Sequence, residues 1–202
     1  MTKNFRSVLL AVFVFTAALS LRALAQDDDH DQDYLTNKEI QEALVKFGDG
    51  TNALGQGMAD GIASDIARFG HPKGVIVGGE FEVSALFLGY RKGSGHVVFK
   101  GQDLSKAPKI FWEAPSLGIG VGLASSRSCL LIYGTENYQE LMGEYGSGSG
   151  SAHWIAGASI SYLAQAGQQE HVHIADVGVG IGFNLTAHVE ALKLTPKEHW
   201  LP

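Results

Sequence analysis

Apolar residues recur with two different periods along the chain, and the switch falls near Gly74. Upstream of it, Thr36-Asn37-Lys38-Glu39 has the S/T-x-x-E spacing of a capping box, and Ile40, Ala43, Leu44 and Phe47 follow at helical intervals before a stop at Gly48. A second helix, 52–69, is marked by Leu54, Met58, Ile62 and Ile66 and ends near Gly70, before Pro72. Gly57, Ala59, Gly61, Ala63 and Ala67 lie between those apolar positions. Each interior glycine costs a helix about 1 kcal/mol relative to alanine, so Gly57 and Gly61 predict a helix packed closely against its neighbours.

Downstream the period falls towards two. Candidate strands are Val75–Glu82, Ser84–Tyr90, His96–Lys100, Lys109–Glu113, Leu117–Leu123, Cys129–Tyr133, His153–Leu163, His171–Phe183 and Thr186–Leu194. A short helix is expected at Glu136–Met142, with Thr135 as N-cap and Gly143 as stop, followed by a flexible loop over Gly146–Ser151. The predicted class is mainly β with a helical N-terminal segment (α+β). Its architecture is a small soluble antiparallel barrel of about 8–10 strands, closed or nearly so, packed with the glycine- and alanine-rich helix. Two strands carry glycine at every second position, Gly118, Gly120 and Gly122 in one and Gly178, Gly180 and Gly182 in the other, so each pairs an apolar face with a bare one. Such a face suits tight curvature against a slim helix, or a slim ligand such as an acyl chain.

The first residues stand apart from this pattern. Lys3 and Arg6, an apolar run from Val8 to Leu19, and Ala23-Leu24-Ala25 form the three regions of a secretory signal peptide over 1–25. Its removal takes the basic residues from 15 to 12 against 21 acids, a net charge of −9 with histidine neutral. The acidic stretch 26–34 that follows reads as a solvated tail, and 35–202 as one domain. With no basic stripe, nucleic acid is excluded as a partner, and membrane contact has to be apolar or local.

Candidate chemistry is sparse. The run Gly118-Ile119-Gly120-Val121-Gly122 is a strand alternation, without the strand-to-helix turn of a dinucleotide fingerprint, and no five-residue window places serine at a nucleophile elbow. Cys129 lies in an apolar run and reads as a buried small hydrophobe. The strand pair His171 and His173 lacks an evident third metal ligand, and Glu80 and Glu82 share a strand face that reads as solvent-facing. No catalytic residue, metal or cofactor is assigned.

Phe111-Trp112-x-x-Pro115-Ser116-Leu117-Gly118, Ser126-Arg127, Leu131-x-Tyr133, Tyr145-Gly146, Gly150-Ser151-Ala152, Gly157 and the ending Leu192-Lys193-Leu194-Thr195 with Trp200 and Pro202 occur in order. Over 36–202 the chain thereby resembles the envelope integrity protein A family of Gram-negative bacteria and, more distantly, SYLF-type lipid-binding domains. The resemblance implies a periplasmic soluble barrel with a role in envelope integrity and no assigned reaction. Within its motifs, Trp112, Ser116, Arg127 and Tyr145 are the expected rim of a site for lipid or another apolar envelope ligand. A ligand-free structural or protein-interaction barrel is the alternative, with an envelope-polymer enzyme behind it.

Overall fold

The computed structural model describes residues 32–48, 55–165 and 171–198, with the stretches 147–162, 164–165 and 181–188 described by backbone alone. The expected signal peptide, 1–25, and most of the expected acidic tail therefore lie outside the described residues. At the end of that stretch, Tyr34 sits beneath the Lys73 ammonium, 5.4 Å from the ring centre.

Helix α1 spans Asn37–Phe47 and starts as its capping box dictates. Thr36 N donates to Glu39 Oε2 at 2.8 Å, and Glu39 N returns a bond to Thr36 Oγ1 at 3.3 Å. Helix α2 spans Gly55–Phe69. The remainder is mainly antiparallel β, as the change of period predicts, but it is built differently from a meander of short strands. Four long strands, β1 (Gly74–Phe99), β2 (Lys109–Tyr133), β3 (Gly143–Gln165) and β4 (His173–Thr195), form one sheet in the order β1-β2-β4-β3. Among the described residues the sheet does not close, β1 and β3 being its two ends.

Several predicted breaks are thus continuous strand. Val83, Pro115 and the 124–128 segment all lie within ladders. The Gly146–Ser151 run, expected as a loop, is paired with β4 from Ala191 to Thr186. Cross-strand hydrogen bonding supplied by β4 outweighs the low strand preference of glycine and serine there. The helix expected at Glu136–Met142 is a set of turns. Thr135 Oγ1 does accept from Asn137 N at 3.0 Å, but this cap leads into isolated turn bonds and no helix.

Each strand doubles back, which is how one sheet builds two layers. Lys100 N donates to Lys73 O at 3.2 Å, bringing the end of β1 to its start, and Gly78 lies against Ser94 and Gly95 where the two halves cross. A side chain at Gly78 or Gly95 would collide with the opposing backbone, so this seam requires glycine. Between the layers lies a core made from both halves: Ile76, Leu130, Ile132 and Ile174 from one, Ile110, Trp112, Tyr145 and Leu192 from the other. A second core covers the outer face of the first half, where α1 and α2 place Ile40, Ala43, Met58 and Ile62 against Val75, Val77, Leu131, Val177 and Val179.

The small-residue helix therefore packs outside the sheet. Gly61 faces Val177 and Gly57 faces Val179, so α2 lies on the valine face of β4 and not on the bare face of Gly178 and Gly180. Those two glycines, with Gly120, are buried on the opposite, inner side. There, close to Ser84, Gly89 and Ser116, a residual void of only about 10 Å³ remains beside Gly118 and Gly120. Among the described residues, α2 packs on the outer valine face and does not enter the inner one.

Candidate functional site

The inner face carries charge. On β1, Glu80 and Glu82 are buried, contrary to the solvent-facing reading of their spacing. Glu80 accepts from Trp112 Nε1 at 3.1 Å and from Ser126 Oγ at 3.0 Å. Arg91 Nη1 lies 3.3 Å from Glu80, Arg91 Nη2 donates to Glu190 Oε1 at 2.9 Å, and Nη1 also bonds Asp176 Oδ2. One guanidinium thus faces three carboxylates in a buried space. Burial is the main cause that lifts the Asp176 carboxyl to about 7; Arg91 opposes it, while the Glu80 and Glu190 charges add to the rise.

A shift in register puts Arg91 there. Leu86 pairs with Gly120 but Leu88 with Leu117, so Gly118 and Ile119 stand opposite the single Phe87. Before this point the even positions of β1 face inward, and after it the odd ones do, so Glu80 and Arg91 meet although eleven residues separate them. Leu86, at φ 54, marks the same turn of the strand.

The outer face at this end is inverted relative to an ordinary soluble protein. Leu117, Ile119, Val121 and Leu123 on β2 are 67%, 75%, 56% and 55% exposed, and Phe81, Val83, Leu86, Phe87 and Leu88 on β1 continue the surface. On the other side, Val189 of β4 is likewise exposed and pairs with Leu117. The result is a convex apolar band about seven residues, or about 20 Å, long.

Where β1 crosses itself, the border of this band opens into a surface cavity of about 630 Å³. Phe81, Phe111, Lys92, Lys109 and Arg127 line it, with Glu80 at its base and Glu198 at its rim. Lys92 Nζ bonds Glu198 Oε1 at 3.1 Å, and Lys109 Nζ lies 4.9 Å from the centre of the Phe111 ring. Gly79 leaves room for the guanidinium of Arg127, whose Nη1 would stand 3.3 Å from a Cβ at that position.

Of the four expected rim residues only Arg127 lines this cavity. Trp112 is 2% exposed with its indole bonded to Glu80, and Tyr145 is fully buried with its hydroxyl donating to Leu141 O at 2.9 Å. Ser116 is buried opposite Gly89. The structure therefore does not bring the four together as a rim. Sequence reading missed Arg91, Asp176 and Glu190, whose meeting depends on the register shift. It also missed Lys92 and Lys109; a usable signal for Lys109 was its i, i+2 spacing to Phe111.

Cys129 is buried, and that burial pushes its thiol far above the usual range, so it is inert as a nucleophile. His171 Nε2 lies 3.9 Å from Glu140 Oε2. Among the described residues no group of three or more His, Cys, Asp and Glu is arranged to hold a metal ion. No described helix is long and apolar enough to cross a membrane.

No match was found among curated proteins. Among solved structures, the chain is similar to the crystal structure of a beta-barrel-like, uncharacterized protein from Brucella abortus, 26% identical, with a TM-score of 0.52 and covering 84% of this chain and 99% of that one. The family described as Envelope integrity protein A matches residues 32–202; the more distant likeness to SYLF-type domains is not shown. With its two helices, antiparallel sheet and ordered motifs from Trp112 to Leu194, the chain belongs to the envelope integrity protein A family.

Proposed function

We propose that this protein is a non-catalytic periplasmic component that supports envelope integrity by seating its convex apolar band on envelope lipid. The observation that carries this reading is the inversion of faces at the folded end of the sheet: charges are inside, bonded to one another, and large aliphatic side chains are outside. A contiguous apolar surface of this kind marks an interaction site in a soluble protein. Lipid suits it because the band is convex, and alternation of apolar outward with polar inward positions is the pattern of lipid-facing strands.

The length of the band favours shallow seating over a span. At about 20 Å it falls short of the roughly 30 Å hydrocarbon core, and seven residues are fewer than the 9–11 of a membrane-crossing strand. The family's description as envelope integrity protein A and the signal-peptide pattern expected over 1–25 support the location. Glu80, Arg91 and Glu190 are buried and mutually bonded, which supports a structural part for these charges.

Flotation of the mature protein with lipid vesicles tests this. Wild type is expected to float with the vesicles, and the Ile119→Ser/Val121→Ser double variant to remain in the soluble fraction with an unchanged far-ultraviolet spectrum. Wild type left in the soluble fraction overturns the reading. If that protein forms concentration-dependent dimers which the double variant abolishes, the band is a contact between copies instead.

A further inference from the structure

We propose that the cavity at the β1 crossing takes the phosphate headgroup of an anionic lipid, whose acyl chains leave it over Phe81 onto the apolar band. This rests on the lipid reading above and names the lipid class. Three observations converge on it. First, the cavity volume of about 630 Å³ lies within the range of small-molecule sites, ample for a glycerol phosphate headgroup. Second, Lys92, Lys109 and Arg127 line it in a chain whose mature net charge is strongly negative, so cations are concentrated where the whole molecule has few.

Third, the cavity is continuous with the apolar surface. Phe81 belongs to its wall and is also 47% exposed on the band, so a single amphipathic molecule spans both surfaces without crossing a polar gap. The carboxylates nearby are held by other groups: Glu80 by Arg91, Trp112 and Ser126, and Glu198 by Lys92. A phosphate gains charge-assisted bonds from guanidinium and ammonium donors, whereas a zwitterionic surface offers them no net charge. A Lys or Arg near an anionic membrane contributes enough that two together give on the order of tenfold or greater preference.

The test compares vesicles of phosphatidylcholine with vesicles containing one-third phosphatidylglycerol, using Lys109→Gln/Arg127→Gln beside Lys38→Gln/Lys106→Gln, which removes the same charge elsewhere. Wild type and the second variant are expected to prefer anionic vesicles by about tenfold at low salt, and the first variant to bind both alike. Retention of the preference by Lys109→Gln/Arg127→Gln, or its absence in wild type that still floats with phosphatidylcholine, overturns the headgroup assignment and leaves the band reading intact. Calorimetry with monomeric dihexanoyl phosphatidylglycerol needs no bilayer, so it decides the assignment even if vesicle binding fails. Saturable binding lost in the first variant supports it. No binding, or equal binding of inorganic phosphate, overturns it.

Discussion

Arg91 carries one positive charge into an interior that holds Glu80, Asp176 and Glu190. Such a group is expensive to desolvate, and the structure manages the excess negative charge by holding a proton at Asp176, whose carboxyl is raised to about 7 from an ordinary 3.8. A carboxyl raised on folding contributes stability that is complete below its unfolded value and is lost as pH climbs through the folded one. Urea unfolding of wild type should therefore show a midpoint that falls between about pH 5 and about pH 8, while Asp176→Asn flattens that slope. A slope unchanged by the substitution contradicts the assignment of the proton to Asp176. None of this was legible from residues alone. Glu80 and Glu82 were readable as sharing one face, but spacing says only that two side chains share a face, and acids ordinarily occupy the solvated one. Cys129 was the easier case, because the apolar run Leu130-Leu131-Ile132 that follows it marks a buried strand even with Arg127 two residues before.

The helices were the most legible elements, since their determinants are local. The capping box at Thr36–Glu39 and the four-residue spacing of Met58, Ile62 and Ile66 act within a turn or two; α1 begins and ends, and α2 ends, close to where these signals place them, the expected start of α2 lying outside the described residues. Gly61 was readable as a packing position but not its partner, which is Val177 of β4: a Cβ there would lie 2.5 Å from Val177 Cγ1. Since valine is stiff at χ1 and this one is buried, Gly61→Ala should destabilise the protein by about 1–3 kcal/mol despite its better helix propensity, and Val177→Ala should recover part of that loss. Thermal or urea unfolding of the two single variants and the double variant reads this, and additive losses would contradict the contact. Strand limits were less legible because the ladder sets them at long range. Gly146–Ser151 has the composition of a linker, yet β4 pairs with it throughout. The shift between Leu86 and Leu88 leaves no local signature either, and it decides which face Arg91 occupies.

At the scale of the whole molecule, the 26 glycines of the sequence have a mechanical use. Bare inner positions such as Gly120, Gly178 and Gly180 let a sheet of four long strands fold onto itself, and the alternate side chains of β2 are thereby turned outward at the fold. The alternation predicted one apolar and one bare face, and what it left open was which of them meets solvent: the apolar face of β2 does, while Val177 and Val179 of β4 are covered by α2. A periodicity cannot report that, because a folded sheet inverts inside and outside without altering the pattern. On the proposed lipid reading, the strong net negative charge should hold the molecule off anionic surfaces except where Lys109 and Arg127 cluster, which confines the expected contact to one end. The most direct measurement places an environment-sensitive fluorophore at Ile119→Cys, the buried Cys129 being unreactive, and compares it with a label at Lys38→Cys on α1 as anionic vesicles are added. A blue-shifted, brighter emission at position 119 with none at position 38 is the predicted result; vesicle-bound protein whose label at 119 stays in water, or whose two labels respond alike, contradicts the account.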